Sequence, residues 1–367
     1  MANSNDPAVG AKLPLPTGFQ GQVVADYWGK QLSEVADVDP VKATPELATE
    51  TVKERHRIYC YLLMKLICRF WNGNKRGPVG LYPRREKQKQ SGQDPNAKVF
   101  RYRGDMNVTK DLLRPSWDRY LGHNIACIAV DGHGDVIDFD FNHNDFFRSS
   151  AEHAESRMVR RLFSLADISD GWATGRRLPH RTKGFSLQDV TLYTSLESCA
   201  QCSGVMSLGR VKQIVYMQHD YMAYMIGNIM YNLAGVDGAK ASLAPLPIAA
   251  SAIDLKQFDE LNAAYQTYLT DITDAAKTND RSRAFWVPLE GDAVDYDPIV
   301  TSFLCTDVAY DIIDRGAKQL DTLTLKHGGE KYPGRPHSHT NAECLHEAKR
   351  FYEYADVEGF RGSPHKL

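Results

Sequence analysis

The feature that most constrains this chain is a set of four polar residues within positions 149–220. His153 and Glu155 are separated by one residue, and Cys199 and Cys202 follow with the spacing C-x-x-C. One His and two Cys supply three protein ligands for a catalytic zinc ion and leave its fourth position open to water. A Glu that does not bind the metal can carry a proton in such a site. We therefore predict that the fold is organised around a zinc site.

The composition is typical of a globular protein. Among the 367 residues, 43% are hydrophobic and 25% are charged, and the formal net charge is −2. This length allows two domains, or one domain with large extensions. The charge argues against a surface devoted entirely to nucleic acid, although it leaves local basic patches open. No apolar run approaches the roughly 20 residues that span a bilayer, so we expect no membrane partner.

Seven cysteines are scattered along the chain, and only Cys199 and Cys202 have the spacing of metal ligands. An odd number of cysteines, in a long chain without a secretory signal pattern, favours reduced thiols and a cytoplasmic location. The alternative for a lone C-x-x-C is a redox pair or half of a structural zinc site. We expect the one remote group of candidate ligands to lie in an ordinary loop and helix start. That group is His337, His339, Cys344 and His346.

The region before residue 120 is predicted to be partly helical. Thr44 and Pro45 suit a helix start, and apolar residues then recur at spacings of three and four as far as Phe70. The stretch 77–104 is basic and rich in turn residues. We interpret it as a solvated loop, with contact to nucleic acid as the less favoured alternative.

A helix that carries the first half of the polar set is predicted after a β-hairpin at 125–141. Ser149 is followed three residues later by Glu152, which is the arrangement of a capping box. A helix that starts at Ser149 places His153 and Glu155 in its first two turns.

Strand and helix patterns alternate beyond a long basic loop at 167–186. The strand that ends at Thr194 leads into a helix that starts at Cys199, where the helix dipole favours the thiolate form. This alternation predicts a three-layer α/β architecture with helices on the faces of the sheet. The predicted strands are 190–194, 213–217 and 245–253, and the predicted helices are 199–210, 221–233, 255–269, 303–320 and 342–354.

The motif residues resemble those of the cytidine deaminase-like superfamily of zinc deaminases. The matching segments are His153-Ala154-Glu155, the run YTSLESCAQCSG at 193–204 and the run RVKQIVY at 210–216. These segments look most like the branch that includes the tRNA adenosine deaminases and guanine deaminases. The resemblance covers roughly residues 120–270.

The resemblance implies an α/β/α deaminase fold with a mixed five-stranded sheet, whose fifth strand runs parallel to the fourth. It also implies three parts of the chain. An N-terminal region of unknown function, partly helical, occupies residues 1–119, and a zinc-dependent deaminase domain occupies 120–272. A C-terminal helical extension follows at 273–367.

Several residue roles follow from the resemblance alone. Glu155 is implied to carry the proton between the zinc-bound water and the leaving amine. Asn142 occupies the place of a substrate-binding Asn, with Asn144 as the alternative. Two departures stand out: Ser198 replaces the Pro of the family pattern, and the gap between the His and the Cys pair is long. The implied ligands of Zn²⁺ are His153, Cys199 and Cys202.

The implied activity is hydrolytic deamination of a nucleobase in a nucleoside or nucleotide. One alternative is a deaminase that acts on a base within RNA, with phosphate contacts from the basic stretches 77–104 and 167–186. The other is a catalytically idle binding subunit, against which the intact Glu155 argues. The expected partner is a small nucleoside or nucleobase, with RNA as the alternative, and the resemblance implies a homodimer.

Overall fold

The computed structural model describes residues 27–71, 122–144, 147, 149–164, 186–236, 241–280 and 296–358. The basic stretch 77–104 lies outside these ranges, and so does all of the basic loop 167–186 except Ser186. Within the described ranges, no helix combines the length and the apolar character needed to cross a membrane.

A five-stranded mixed sheet lies at the centre of the described structure. The strands are β1 (Ala126–Val130), β2 (Val136–Phe141), β3 (Thr191–Thr194), β4 (Gln213–Tyr216), β5 (Gly235–Val236), β6 (Ala241–Ser242) and β7 (Leu246–Ala249). Strands β5 and β6 form a separate two-stranded sheet. The sheet order is β2-β1-β3-β4-β7. Strand β1 pairs antiparallel with β2 and β3, whereas β4 pairs parallel with β3 and β7.

Helices pack on both faces of this sheet. They are α1 (Leu32–Val35), α2 (Pro40–Ala43), α3 (Glu50–Arg69), α4 (Ala154–Ser164), α5 (Ala200–Gly209), α6 (Ile226–Leu233), α7 (Lys256–Thr278), α8 (Val300–Phe303), α9 (Asp307–Thr322) and α10 (Asn341–Glu358). Helix α4 packs on β1, β2 and α5, whereas α3 packs on β1, β3, α9 and α10. The predicted α/β architecture is therefore confirmed, including the parallel fifth strand and the helical character of the N-terminal region.

Strand β2 shows how the sequence assigns the two faces of the sheet. Phe139 stacks on Phe70 at the end of α3, with their ring centroids 5.6 Å apart. Asp138 and Asp140 flank Phe139, so their side chains point to the opposite face. There, Arg161 of α4 pairs with Asp138 at 2.8 Å and with Asp140 at 3.0 Å. The alternation of aromatic and acidic residues thus separates an apolar helix layer from a charged one.

The predicted hairpin is confirmed as β1 and β2, and a side chain fixes its turn. The Oδ1 atom of Asp131 accepts hydrogen bonds from the backbone N–H groups of His133, Gly134 and Asp135 at 2.9, 3.0 and 3.0 Å. Gly134 has a φ of 105°, which L side chains rarely adopt. The turn therefore depends on both the Asp and the Gly of the predicted turn segment.

The start of α4 differs from the prediction. The helix begins at Ala154, and Ser149 and Glu152 do not form a capping box. Glu152 pairs instead with two arginines of α4, whose charges compete for its carboxylate. The first backbone N–H of the helix donates to the Oδ1 atom of Asn142 at 2.8 Å. His153 therefore lies immediately before the helix rather than inside it.

The start of α3 also differs from the prediction. Thr44 and Pro45 begin a short 3-10 turn rather than the long helix. The cap of α3 is Thr49, whose Oγ1 atom accepts a hydrogen bond from the backbone N–H of Val52 at 3.4 Å. Thr49, followed by the acidic Glu50, thus caps the long helix in the way that was predicted for Thr44.

Two other predicted elements are shorter than expected. The helix predicted at 221–233 begins only at Ile226, because Tyr224 and Met225 have φ angles of 43° and 52°, outside the right-handed helical region. The strand predicted at 245–253 is β7, and its second half forms a 3-10 turn. The helices predicted at 255–269, 303–320 and 342–354 correspond to α7, α9 and α10.

One continuous apolar core links the three predicted parts of the chain. It contains Leu63 of α3, Val136 of β2 and Phe351 of α10, all fully buried. Helices from both ends of the described chain therefore cover the same face of the sheet. The division of the chain after residues 119 and 272 stays a prediction.

Candidate metal and catalytic centre

Three residues with metal-binding side chains converge where α4 and α5 begin. His153 immediately precedes α4, Cys199 immediately precedes α5, and Cys202 lies in the first turn of α5. The Nδ1 atom of His153 is 3.4 Å from the Sγ atom of Cys199 and 3.6 Å from that of Cys202. Among the described residues, this is the one group of three or more His, Cys, Asp or Glu whose ligand atoms lie close enough together to hold a metal ion.

The separations within this group fit a tetrahedral zinc ion. Zinc lies about 2.3 Å from a thiolate sulfur and about 2.0–2.1 Å from an imidazole nitrogen. With an angle of about 109° at the metal, these lengths place the two ligand atoms about 3.6 Å apart. The observed distances of 3.4 and 3.6 Å agree with that value. A set of three ligands is also what catalytic zinc sites use, since they keep one position open.

The three donors change one another's proton affinity. Hydrogen bonds from the Cys202 thiol and from His153 lower the pKa of Cys199 to about 4, against the effect of burial. The neighbouring Cys199 and burial raise the pKa of Cys202. The hydrogen bond with Cys199 raises the pKa of His153. The group therefore holds one ready thiolate, and a divalent cation between the donors favours the thiolate form of both cysteines.

Glu197 fixes the turn that carries Cys199 from β3 into α5. Its backbone N–H donates to the carbonyl oxygen of Gln218 at 2.8 Å. Its Oε2 atom lies 3.0 Å from the Nδ1 atom of His219 and accepts from the backbone N–H of Asp220 at 3.2 Å. The turn after β3 is thus tied to the turn after β4, and the segment that carries Cys199 and Cys202 starts from an anchored backbone.

Glu155 lies beside the three donors but is not one of them. Its residue surface is only 3% exposed. The Oε1 atom accepts hydrogen bonds from the hydroxyl groups of Thr194 at 3.1 Å and Ser198 at 3.3 Å. The Oε2 atom is 3.4 Å from the Sγ atom of Cys202. Burial raises the pKa of Glu155. One carboxylate oxygen is therefore anchored, while the other faces the donor group.

Further polar contacts support the cysteine side of the centre. The Oγ atom of Ser156 is 3.3 Å from the Sγ atom of Cys202. The side-chain amide of Gln201 donates to Ser156 at 3.3 Å and to the carbonyl oxygen of Ala151 at 2.8 Å. Such contacts behind the ligands orient them and affect metal affinity.

Asn142, the predicted substrate-binding residue, contacts the helix that follows His153. Its Oδ1 atom accepts from the backbone N–H of Ala154, and its own backbone N–H donates to the carbonyl oxygen of Ile125 at 2.9 Å. The side-chain nitrogen of Asn142 has no hydrogen-bond acceptor among the described residues. Asn144 is the alternative, and its Oδ1 atom is buried without a partner in the described part of the chain. A substrate contact by either residue stays a prediction.

The remote group of candidate ligands does not form a metal site in the described structure. The Nε2 atom of His339 lies 2.9 Å from the Oδ1 atom of Asp135 in the hairpin turn. Cys344 is fully buried near the start of α10. These contacts agree with the expectation that this group lies in an ordinary loop and helix start.

Sequence reasoning missed the two hydroxyl groups that hold Glu155. Ser198 was visible as a departure from the family pattern, but the contact of its hydroxyl group with Glu155 was not predicted. Thr194 was assigned only to the end of a strand. The sequence does place both residues next to the C-x-x-C pair, and residues at that turn are expected to lie close to the candidate metal ligands.

The chain is similar to solved structures of two deaminases. A structure from a study of A-to-I editing by tRNA:A34 deaminases at the wobble position of transfer RNA matches with 20% identity and a TM-score of 0.24, over 34% of this chain and 82% of that chain. A guanine deaminase from Nitrosomonas europaea matches with 21% identity and a TM-score of 0.25, over 36% of this chain and 68% of that chain. No family model and no curated protein matches the chain. Similarities this weak assign no activity, so function has to be inferred from the centre itself.

Proposed function

We propose that this chain is a zinc-dependent hydrolytic deaminase of a nucleobase in a nucleoside or nucleotide. The observation that carries the proposal is the position of Glu155, a buried carboxylate beside a His/Cys/Cys group that it does not join. Deamination at an aromatic ring carbon needs an activated water and a group that moves protons from that water to the ring and the leaving amine. The donor group and Glu155 together meet both needs.

His153, Cys199 and Cys202 are the residues that would hold the zinc ion. When bound, zinc supplies a water molecule whose pKa falls from 15.7 to about 7. In the overall reaction, the ring carbon gains the oxygen of water, the carbon–nitrogen bond breaks and ammonia leaves.

Glu155 moves the protons at its Oε2 atom. Thr194 and Ser198 donate to Oε1 and so keep Oε2 directed towards the donor group. Because burial raises its pKa, Glu155 accepts a proton more readily than an exposed Glu. It can then pass the proton to a ring nitrogen and later to the leaving amine.

Free nucleosides, nucleotides and nucleobases are the first substrate candidates, because the net charge of −2 does not favour binding of a polyanion. A base within RNA is the second candidate, since the basic stretches 77–104 and 167–186 carry residues that suit phosphate contacts. A salt titration of RNA binding separates the two, because phosphate contacts cause a steep loss of affinity as salt rises.

The proposal is tested by ammonia release from zinc-loaded protein, using cytosine, guanine and adenine compounds and RNA. For the substrate that reacts, Glu155→Ala is expected to lower kcat by about 10²- to 10⁴-fold, because proton transfer is lost. Metal analysis is expected to find the same zinc content, because Glu155 is not a ligand. Glu353→Ala, at an exposed position of α10, is the matched control and keeps wild-type turnover.

Two outcomes contradict different parts of the proposal. Wild-type turnover by Glu155→Ala with full zinc content rejects the proton-transfer role. A zinc-loaded wild-type protein that releases no ammonia from any of the nucleobases, nucleosides, nucleotides or RNAs rejects the deaminase activity itself.

A further inference from the structure

A pocket lies at the opposite end of the sheet from the metal centre. Thr194, at the carboxyl end of β3, contacts Glu155, whereas Thr191, at the amino end of β3, lines this pocket. Gln213, at the amino end of β4, and Val130, at the carboxyl end of β1, line it as well. The pocket and the metal centre therefore lie at opposite ends of β3.

Three cationic side chains converge in this pocket around the ring of Tyr332. The guanidinium carbons of Arg55 and Arg335 lie 5.7 and 5.5 Å from the ring centroid, and the Nζ atom of Lys212 lies 5.2 Å from it. They come from α3, from the loop before α10 and from the residue before β4. Folding thus gathers like charges from three separate parts of the chain, which is unfavourable without compensation.

Arg55 and part of Arg335 form hydrogen bonds with other residues of the protein. The Nε atom of Arg55 donates to the Oδ1 atom of Asn341 at 3.0 Å, and its Nη2 atom donates to the carbonyl oxygen of His339. The Nη1 atom of Arg335 donates to the carbonyl oxygen of Gly132 at 3.2 Å. Arg55 therefore forms a wall of the pocket, whereas Arg335 keeps donors to spare.

Lys212 and Tyr332 lack polar partners in the part of the chain that the structure describes. Among the described residues, the ammonium group of Lys212 has no ion-pair partner and no hydrogen-bond acceptor, although the Tyr332 ring attracts it. The hydroxyl oxygen of Tyr332 is fully buried and makes no hydrogen bond within the described part of the chain. Buried polar groups are normally satisfied, so the Tyr332 hydroxyl indicates a missing acceptor, and the half-buried Lys212 beside it would favour an acceptor that carries negative charge.

The nearby carboxylates do not supply that acceptor. Asp131 also lines the pocket, but its Oδ1 atom accepts three backbone hydrogen bonds, and within the described residues the carboxylate forms no ion pair or hydrogen bond with Lys212 or Tyr332. The side chain of Asp189 is 50% exposed and lies 3.8 Å from Arg335. Glu46 is exposed, so water screens its charge as it screens that of Asp189. Burial and the charge of Arg335 lower the pKa of Lys212 to about 8, which shows that they outweigh the opposite effect of Glu46 and Asp189.

We propose that this pocket binds a phosphate group, with Lys212 and Arg335 as charged donors and Tyr332 as a hydroxyl donor. Phosphate oxygens accept several hydrogen bonds at once and prefer charged donors, and the pocket offers both. The pocket is independent of the proposed deaminase activity, because it shares no residue with the metal centre. Free inorganic phosphate and the phosphate of a nucleotide present the same chemistry to these donors.

The proposal is tested by calorimetric titration of the zinc-loaded full chain with inorganic phosphate at constant ionic strength. Lys212→Met is expected to weaken phosphate binding by about tenfold or more, because a charge-assisted hydrogen bond is lost. Lys277→Met, at a side chain that is 70% exposed, removes the same charge elsewhere and is expected to leave the affinity within about twofold. A zinc centre also attracts anions, so the measured quantity is the difference between the two variants.

Two more variants guard against a loss of folding. Tyr332→Phe preserves the ring and is expected to weaken phosphate binding by a few fold, and Lys212→Arg keeps the charge and retains binding. Equal phosphate affinity in Lys212→Met and wild type overturns the proposal, as does a wild type that takes up no phosphate at about 10 mM.

Titrations with a nucleoside 5′-monophosphate and with its parent nucleoside show whether the phosphate group that binds belongs to a nucleotide or is free phosphate. Tighter binding of the monophosphate than of inorganic phosphate, lost in Lys212→Met, supports a nucleotide as the ligand. Binding of inorganic phosphate that is as tight or tighter, again lost in Lys212→Met, supports free phosphate.

Discussion

The two ends of the central sheet gather different ionisable side chains. At the carboxyl end of β3, the carboxyl group of Glu155 lies beside the Sγ atom of Cys202, which clusters with Cys199 and His153. At its amino end, Lys212 and Arg335 lie around one tyrosine ring. Like charges held together cost free energy unless an opposite charge is supplied. The first arrangement therefore favours a bound cation and the second a bound anion.

The layer between α4 and β2 compensates its charges without a ligand. Asp138 and Asp140 are fully buried and pair with Arg161, and Asp140 also pairs with Arg157 at 3.1 Å. Both signs are present there in hydrogen-bonding contact. Buried charge alone therefore does not mark a ligand site, whereas a charged group without an ion-pair partner among the described residues, such as Lys212, favours one.

Removing one charge from the layer between α4 and β2 is expected to have the largest effect on stability. Arg161→Met leaves Asp138 and Asp140 buried with less opposite charge, so the free energy of unfolding should fall by about 3–5 kcal/mol. Urea denaturation measures the loss. Arg160→Met is the matched control, because that side chain is 59% exposed and its pair with Glu152 is worth less than about 1 kcal/mol. Equal losses in the two variants would show that the layer does not compensate its own charges.

The same layer predicts a dependence of stability on pH. Burial raises the pKa of Asp140, but the charges of Arg161 and Arg157 outweigh burial and leave the pKa below its ordinary value. His143 lies 3.5 Å from Asp140, and burial lowers the pKa of this His. Cys127 is opposite Asp140 on the neighbouring strand, and its own pKa is raised mainly by burial. A carboxyl with a lowered pKa stabilises the fold above its unfolded-state pKa of about 3.9, and this contribution is lost as the pH falls through the folded-state pKa.

Asp140→Asn measures that contribution. At pH 7 the variant is expected to be less stable than wild type, and the gap in unfolding free energy should narrow as the pH falls below about 4. Urea denaturation at pH 7, 5, 4 and 3 gives the gap at each pH. A gap that stays constant over this range contradicts the assigned pKa direction.

Local patterns predicted most of the sheet and the convergence of the three candidate metal ligands. The hairpin and the strands carry their own alternation and turn residues, and His153, Cys199 and Cys202 carry the spacing of metal ligands. The capping box at Ser149 failed because its Glu is also an ion-pair partner for arginines one and two turns later. Asn142 caps the helix from twelve residues away, a contact that no local pattern indicates.

The phosphate pocket shows where sequence reasoning stops. The pocket residues come from three segments that are far apart in the sequence, and these segments meet only when α3, β4 and the loop before α10 pack together. The residues are Arg55, Lys212 and the pair Tyr332 and Arg335. Lys212 lies within a run that resembles a known family, yet nothing in that run predicts an unpaired ammonium group. Charge compensation is a property of the packed chain, so it becomes visible only in the structure.

Ser198→Ala tests the metal end of the sheet with the smallest change. The hydroxyl group of Ser198 is one of two that hold Oε1 of Glu155, so its removal should lower kcat about tenfold. KM should stay unchanged, because the hydroxyl group contacts Glu155 rather than substrate. Steady-state kinetics and metal analysis of the same preparation measure turnover and zinc content.

Two further substitutions at this position separate the hydrogen bond from the stiffness of the turn. Ser198→Thr keeps the hydroxyl group and should retain most of the turnover. Ser198→Pro restores the residue of the family pattern and stiffens the turn before Cys199 but cannot donate to Glu155. If stiffness alone mattered, the Pro variant would equal or exceed wild type. A Pro variant as slow as Ser198→Ala, with zinc retained, instead means that the hydrogen bond from Ser198 to Glu155 matters more for turnover than the stiffness of the turn.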